Sequence, residues 1–251
     1  MLKTSNPDKM NTIVVLNPKG GCGKTTLATN LASYYAKRGP APTLVDCDPQ
    51  GSSARWLNHR DASQPPIHGI AAYKKTTDAA LSWQLRVPGD TENLIIDSPA
   101  SVNHDQLREL TKDTTRILVP VLPSSIDIHA TLNCIRDLLL VAKVDRRDRK
   151  LAVVANRTRY NSESLDLLFR FLDSLGIPII AVIRDSQNFV RAAEQGIGVC
   201  DLPPHKVRKD MDAMNQIIHW LDSWRERGRR RRKRVPTTVA DYRQPQQAEP
   251  T

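Results

Sequence analysis

Cysteine is scarce in this chain of 251 residues, and its four positions are scattered. Cys22, Cys47, Cys134 and Cys200 form no CxxC pair and no Cys/His ligand spacing. The sequence therefore predicts neither a zinc site nor a disulfide framework. Free thiols are compatible with a reducing cytoplasm, so we expect a cytoplasmic protein.

Aromatic residues are also few, at 5% of the chain, so a large core must be built from Val, Ile, Leu and Ala. No apolar run approaches the roughly 18 residues that a membrane span requires, so we expect no transmembrane segment. The first residues include Lys3, Asp8 and Lys9 and no apolar stretch, which argues against a secretory signal peptide.

Positive charge is in excess, with a net charge of +10, and the excess is concentrated near the end of the chain. Residues 225–251 hold 9 Lys and Arg against 3 Asp and Glu, and the part from Pro236 onward is rich in Pro, Gln and Thr. We predict a polybasic, disordered tail over 225–251, for which a polyanion is the favoured partner. A solvated charge run that binds nothing would have the same composition.

Apolar runs alternate with helical patterns between these ends. Strands are predicted at 12–16, 43–46, 67–72, 93–97, 115–121, 151–156 and 178–183. Helices are predicted at 25–38, 52–60, 78–86, 102–112, 127–142, 162–175 and 187–195, with a last one over about 210–227. The alternation predicts a single doubly wound α/β domain over 12–224 after a short extension, 1–11. Its mostly parallel sheet should have about seven strands flanked by helices.

The last predicted helix has one apolar stripe at spacings of three and four residues. Its members are Met211, Met214, Ile217, Ile218, Leu221 and Trp224. Such a stripe indicates core packing more often than a partner site.

The most informative stretch is residues 19–26, KGGCGKTT, between the first predicted strand and the first predicted helix. Its glycines would let backbone N–H groups surround phosphate oxygens, and the helix N-terminus adds positive charge. Lys24 would contact the β- and γ-phosphates of a nucleotide, and the Thr25 hydroxyl would bind Mg²⁺. A glycine-rich turn without a ligand is the competing interpretation.

Two aspartate motifs follow later strands, and both should lie at the same edge of the sheet as the glycine-rich loop. Asp46-Cys47-Asp48-Pro49-Gln50-Gly51 follows the second strand, although an Asx turn closed by a proline has the same sequence. Asp97 ends an apolar run, which is typical of a Walker B motif, and would hold Mg²⁺ through a water.

The loop has Pro18 where the common GxxxxGK[ST] pattern has glycine, and it has a second lysine, Lys19. In this it resembles the deviant Walker A loop of the ParA/MinD ATPases, a family of P-loop NTPases, and the DxDPQG motif strengthens the resemblance. The resemblance implies an ATP-dependent homodimer in which Lys19 reaches the partner's nucleotide. It further implies that Asp48 positions the attacking water, with Asp46 in support.

Further matches extend the resemblance over residues 12–222. They imply that Asn156, Arg157 and Pro203 lie near adenine, with Val119-Pro120 and Pro123-Ser124 matching a further family segment. The implied cofactors are ATP and Mg²⁺, and the implied catalytic residues are Lys19, Lys24 and Asp48. The predicted nucleotide contacts come from the loop: Lys19, Gly20, Gly21, Cys22, Gly23, Lys24, Thr25 and Thr26. We expect slow basal hydrolysis, because no Gln or Arg is clearly placed as a second catalyst.

The resemblance also implies a function. ParA-like proteins bind DNA non-specifically as ATP dimers, and a cargo adaptor stimulates hydrolysis and releases them from the nucleoid. The basic residues predicted to contact DNA are Arg184, Arg191, Arg208, Lys209, Arg229, Arg230, Arg231, Arg232, Lys233 and Arg234. With only residues 1–11 before the first strand, a helix-turn-helix domain is not expected. The resemblance then favours the short ParA type, including McdA-like proteins, and a carboxysome is the preferred cargo over a plasmid, a chromosome or a protein cluster.

Two other functions remain open. A MinD-like regulator would bind a membrane surface, although the terminal segment lacks a bulky apolar face for that role. A metabolic ATP-dependent ligase on the same scaffold would not need Lys19 from a partner subunit.

Overall fold

Seven parallel strands form one sheet in the order β3-β2-β4-β1-β5-β6-β7. The structure is a computed structural model, and it describes residues 10–73, 86–158 and 163–224. The doubly wound α/β fold expected from the sequence is confirmed. The strand β1 lies in the middle of the sheet, between β4 and β5, where the direction of the chain connections reverses. Ligands bind such sheets at this point, beyond the carboxyl ends of the strands.

The strands match the sequence prediction closely. They are β1 (Asn11–Val15), β2 (Thr43–Asp46), β3 (His68–Ala71), β4 (Asn93–Asp97), β5 (Arg116–Val121), β6 (Leu151–Thr158) and β7 (Ile179–Arg184). The helices are α1 (Lys24–Ala36), α2 (Ser52–Asn58), α3 (His104–Lys112), α4 (Ser125–Leu140), α5 (Glu163–Ser174), α6 (Gln187–Glu194) and α7 (Pro204–Asp222).

The helices cover both faces of the sheet. One face packs against α1, α2, α6 and α7, and the other packs against α3, α4 and α5. In β1, Ile13 and Val15 belong to the first layer and Val14 belongs to the second. Because successive side chains point to opposite faces, a strand covered on both sides must be apolar throughout, as the unbroken runs in the sequence are.

The last helix differs from the prediction, because α7 begins at Pro204 and not near residue 210. Pro204 lies in the first turn, where a proline loses no helical hydrogen bond. The apolar stripe starts later than the helix and therefore misses its first turn. Four stripe residues are buried, which confirms the expectation of core packing; they are Met214, Ile217, Ile218 and Leu221.

Some predicted features lie outside the described residues. Most of the predicted helix over 78–86 does so, and the remaining residue of that range, Arg86, takes part in an isolated β-bridge. The predicted tail over 225–251 also lies there, together with the basic run from Arg229 to Arg234. Among the described residues, none of the helices combines the length and the apolar character needed to cross a membrane.

Candidate nucleotide-binding site

The glycine-rich loop joins the carboxyl end of β1 to the first turn of α1. The residue that caps α1 is Gly23, whose backbone is left-handed with φ of 100° and which offers no side-chain cap. The first N–H groups of a helix have no partner within it, and they carry a partial positive charge. The loop and the start of α1 therefore have the geometry that suits an anion, at the centre of the sheet edge.

Asn156 closes this loop from the side of β6. Its Nδ2 donates to the carbonyl oxygen of Cys22 at 2.8 Å, and its Oδ1 accepts the N–H of Arg157 at 3.0 Å. A Cβ on Gly23 would lie 2.1 Å from Asn156 Nδ2, so only glycine leaves room for this contact. The side chain predicted to approach adenine thus also supports the phosphate loop.

The two lysines of the loop occupy different environments. Lys24 is buried, and its Nζ donates to the carbonyl oxygen of Lys19 at 3.1 Å. The side chain of Lys19 is 43% exposed, and its Nζ lies 3.9 Å from Oδ1 of Asp127 at the start of α4. Asn17 accepts the Lys19 N–H at 2.9 Å, which fixes the backbone at the head of the loop. Lys24 therefore faces the loop interior, and Lys19 lies at its outer rim.

The predicted Mg²⁺ ligands are brought together. The Thr25 hydroxyl donates to Oδ2 of Asp97 at 2.8 Å, and the Ser53 hydroxyl donates to the same oxygen. The other carboxylate oxygen, Oδ1, is buried and has no hydrogen-bond partner among the described residues. Burial raises the pKa of Asp97 to about 6, although hydrogen bonds from Ser53 and Thr25 lower it. A buried carboxylate with a free oxygen beside a threonine hydroxyl suits a magnesium ion that keeps its waters.

The aspartate motif after β2 forms a tight turn beside this group. Asp46 accepts the Asp48 N–H at 3.0 Å through one oxygen and the Ala54 N–H at 2.9 Å through the other. Burial raises the pKa of Asp46, against the hydrogen bonds from these backbone groups. Asp48 is half-buried and accepts the Gln50 N–H at 2.9 Å. The Asx-turn interpretation is therefore correct for both aspartates, and it holds Asp48 at the sheet edge that carries the loop.

The remaining predicted nucleotide contacts lie around the loop. Gly20 and Gly21 are exposed, Thr26 is half-buried in the first turn of α1, and Arg157 is exposed with a left-handed backbone, φ 49°. Pro203 is exposed immediately before α7. Within the part of the chain that the structure describes, no hydrogen bond or ion pair links Arg157 or Pro203 directly to the loop, so their roles stay predictions.

The predicted DNA-binding residues within the described part of the chain lie on β7, α6 and α7. Arg191, Arg208 and Lys209 are exposed. Arg184 instead forms a two-point ion pair with the buried Asp210, with distances of 2.7 and 3.0 Å. Its guanidinium therefore has a structural partner, and its contact with DNA stays a prediction.

Sequence reasoning missed three supporting side chains. Ser53 bonds Asp97, Asp127 faces Lys19, and Asn17 donates to Pro120 O at 2.7 Å as well as fixing the loop. Ser53 lies two residues after the DxDPQG motif and Asn17 lies two residues before the loop, so proximity in sequence was a usable signal for both. Asp127 lies far away in sequence, and only the fold brings it to Lys19.

Comparison with known proteins agrees with this geometry. Residues 13–199 match the CobQ/CobB/MinD/ParA nucleotide binding domain. The chain is 30% identical to the maintenance of carboxysome distribution protein A (McdA) of Halothiobacillus neapolitanus over 217 residues, 84% of this chain and 96% of that protein.

Solved structures share the fold. Apo McdA of Cyanothece superposes with a TM-score of 0.60 at 16% identity and covers 83% of this chain and 99% of its own. MinD of Pyrococcus horikoshii OT3, in complex with Mg-ADP, superposes with a TM-score of 0.58 at 17% identity and covers 85% of this chain and 96% of its own. The domain match, spanning the loop and both aspartate motifs, shows that this chain belongs to the CobQ/CobB/MinD/ParA family of nucleotide-binding proteins.

Proposed function

We propose that this protein is an ATP-dependent dimerising switch that binds DNA non-specifically in its ATP state and positions carboxysomes. A cargo-bound adaptor would stimulate hydrolysis and release the protein from DNA. The observation that carries the proposal is the pair of lysines in one loop: Lys24 is buried inside it, and Lys19 lies at its rim with 43% of its side chain exposed.

The residues at the loop suit ATP and Mg²⁺. The cradle at Gly23 admits no side chain, and Asp97 Oδ1 is left for a hydrated cation beside the Thr25 hydroxyl. Bound Mg²⁺ would supply charge neutralisation at the phosphates. The loop N–H groups and Lys24 would bind and orient the phosphates, and Ser53 would keep the Asp97 carboxylate in place.

The position of Lys19 supports the proposal of a dimer, because its ammonium group lies at the surface next to one carboxylate. Its partner, Asp127, is 3.9 Å away, and an ion pair whose lysine is exposed to solvent typically contributes only about 0–1 kcal/mol. So weak a contact does not prevent the lysine from turning toward the phosphates of a second subunit.

Hydrolysis would depend on Asp48, which the turn after β2 holds at the sheet edge that carries the loop. As a half-buried carboxylate, it would orient the attacking water. The site has few other side chains that could orient the attacking water. We therefore propose slow basal turnover that an adaptor accelerates.

DNA binding would use exposed cations, because phosphate contacts need charge and no base recognition. Arg191, Arg208 and Lys209 are available on α6 and α7. The basic run of residues 229–234 adds charge in the sequence. Carboxysomes are the proposed cargo because the McdA relative matches 84% of this chain and 96% of its own length at 30% identity.

The rival membrane function has less support. In MinD-like regulators a terminal apolar face would bind the membrane, and here the stripe of α7 is buried against the sheet at Met214, Ile217, Ile218 and Leu221. The ligase alternative predicts that Lys19→Ala leaves turnover intact and that a small acid substrate stimulates it.

To test this proposal, the molecular mass and the DNA affinity of the full chain are measured with ADP, ATP and a non-hydrolysable ATP analogue. DNA affinity is measured on two unrelated duplexes. We expect dimers and DNA binding with ATP or the analogue only, equal affinity for both duplexes, and a steep loss of affinity with salt. A monomer that stays a monomer with the analogue bound would refute the proposal.

Matched variants identify the source of the signal. Lys19→Ala should remove dimerisation, and Lys112→Ala, which changes an exposed lysine on α3, should not. Truncation after Trp224 separates the domain surface from residues 225–251. Co-sedimentation with anionic liposomes, repeated in parallel, tests the membrane rival.

A further inference from the structure

The segment that leads to Pro203 is packed against α1 through buried polar contacts. Asn30 Oδ1 accepts the Val199 N–H at 2.8 Å, and the Ser33 hydroxyl oxygen accepts the Gly198 N–H at 3.2 Å. Lys37 Nζ donates to Cys200 O at 3.0 Å. Residues 197–203, here called the base loop, are therefore attached to the second half of α1 at Asn30 and Ser33 and to Lys37, the residue after the helix.

The end of α2 is attached to the same base loop. A Cβ on Gly196 would lie 2.5 Å from the backbone carbon of His59 and 2.6 Å from the nitrogen of Arg60, so the two chain segments touch backbone to backbone. Gly196 is left-handed, with φ of 65°, which also favours glycine. The indole N–H of Trp56 donates to Ile197 O at 3.4 Å.

An ion pair lies at the centre of this contact. Arg60 Nη1 lies 3.8 Å from Asp201 Oδ2, and only 5% and 3% of their side chains are exposed. Asp201 also receives hydrogen bonds from the Ser33 hydroxyl and from the Gly198 N–H at 2.8 Å. Arg60 Nη1 donates to Gly196 O at 3.2 Å. Asp201 Oδ1 also lies 3.2 Å from Lys37 Nζ, so the network around the pair joins the end of α1, the second residue after α2 and the base loop.

The other end of α2 is joined to the hydrolysis motif. The helix begins directly after Gly51, and the Ala54 N–H of its first turn donates to Asp46, which in turn accepts the Asp48 N–H. One short helix of two turns therefore connects the Asp48 turn to the Arg60–Asp201 pair. A displacement of the base loop would therefore act on the Asp48 turn through one helix of seven residues.

We infer that Arg60 and Asp201 are positioning residues that couple recognition of the nucleotide base at the base loop to the placement of Asp48. The inference rests on the proposed function, in which Asp48 orients the water, and on the prediction that Pro203 contacts the base. Neither Arg60 nor Asp201 is assigned a contact with nucleotide; each acts through the element that it holds. Burial lowers the pKa of Arg60, but the charge of Asp201 opposes this.

The test measures kcat and KM for ATP and for GTP with the full chain carrying Arg60→Met, Asp201→Asn or both. We expect kcat with ATP to fall about tenfold and the ATP/GTP ratio of kcat/KM to fall about fivefold in each single variant. The double variant should have a kcat no lower than that of the less active single variant, because the effects of substitutions within one network do not add. Arg60→Lys, which keeps the charge, should recover part of kcat.

Two further variants control for misfolding of the ionic variants and for a general effect of changing a carboxylate. Ser33→Ala removes one hydrogen bond from Asp201 and keeps the core volume, so it should show the same kinetic changes at reduced size even if the ionic variants do not fold. Asp61→Asn changes an exposed carboxylate next to Arg60 and should behave as wild type.

The outcomes separate the inference from the proposed function. A lower melting temperature with kcat and the ATP/GTP ratio within about twofold of wild type would make the network purely structural and overturn the inference. A wild-type protein that hydrolyses ATP and GTP equally well would also overturn it, while leaving the ATPase switch standing. If the wild type hydrolyses neither, the proposed function fails. The ratio of ADP to GDP affinity in the same variants then decides whether the base loop depends on the pair.

Discussion

Asn156 at the end of β6 donates to the carbonyl oxygen of Cys22 at 2.8 Å and fills the space that a side chain at position 23 would need. The relation links a residue of the second half of the chain to the loop near its start. Because of this contact, we expect that even alanine, the smallest substitution at position 23, strongly weakens nucleotide binding.

Gly23→Ala should abolish ADP binding without unfolding the protein. The new Cβ would meet Asn156 Nδ2 and would strain a backbone with φ of 100°, so the loop must shift away from its anion-binding geometry. We expect a loss of about 3 kcal/mol, or more than about 100-fold in affinity, by calorimetry. Gly39→Ala, at a position with no atom within 4 Å of the added Cβ, is the control. Equal ADP affinity in both variants would contradict the proposed cradle.

Asp48→Ala should bind ATP with the affinity of the wild type and lose turnover by about 100-fold or more, because a positioned carboxylate typically contributes that much. The measurement combines ATP binding with phosphate release. Asp61→Ala removes a carboxylate that also caps a turn, with the Ser63 N–H at 2.8 Å, and should keep full turnover. Turnover that survives Asp48→Ala would exclude the role assigned to this residue.

Asp210→Asn should destabilise the protein in a pH-dependent way. Burial opposes ionisation of Asp210, but the hydrogen bonds from Arg184, Asn188 and Ser186 outweigh it and hold the pKa of this carboxyl below its ordinary value. The stabilisation is therefore present above about pH 4, the unfolded-state value, and is lost as pH falls through the lower folded-state value.

Urea unfolding at pH 7 should give a loss of about 1–3 kcal/mol for Asp210→Asn, and the difference from wild type should shrink below pH 4. Asp212→Asn, on the exposed side of α7, is the control. A difference that grows on acidification would have the wrong sign for a carboxyl with a depressed pKa.

Arg116→Met should lower the free energy of unfolding by about 3 kcal/mol. Arg116 is 1% exposed, stacks on Trp220 with its guanidinium carbon 4.5 Å from the ring centroid, and donates to Ser223 Oγ at 2.9 Å. The variant leaves Ser223 Oγ without this donor and the Trp220 ring without its stacked cation. Arg116→Lys should recover little, because an ammonium group cannot stack and fork in this way. Denaturant titration measures the stability of both variants. Wild-type stability in Arg116→Met would show that the contacts of Arg116 with Trp220 and Ser223 do not stabilise the protein.

The central strands could be predicted because they are covered on both faces and are therefore mainly apolar, whereas the edge strand β3 (His68–Ala71) buries only Ile70. The glycine-rich loop, Asp97 and the DxDPQG turn were also predictable, since each follows a strand at the same sheet edge. The sequence pattern of α7 was less informative, because its first turn presents exposed cations and a proline before the apolar stripe begins.

Contacts between distant residues could not be predicted in the same way. Arg116 looks like an ordinary polar residue at the start of a strand, and nothing local indicates that the end of α7 buries it. Asp127 meets Lys19 only because β5 is next to β1 in the sheet. Arg60 and Asp201 are likewise brought together by the packing of α2 and the base loop on α1.

The position of β1 has a consequence for how the chain folds. This strand is the first to be synthesised, yet both of its neighbours, β4 and β5, begin beyond residue 92. Long loops must therefore close before the middle of the sheet can pair, and parallel sheets of this kind fold slowly. During translation, β1 stays unpaired until residue 97 has left the ribosome, and it gains its second neighbour only after residue 121, so the loop that follows it is held between two strands only after that moment.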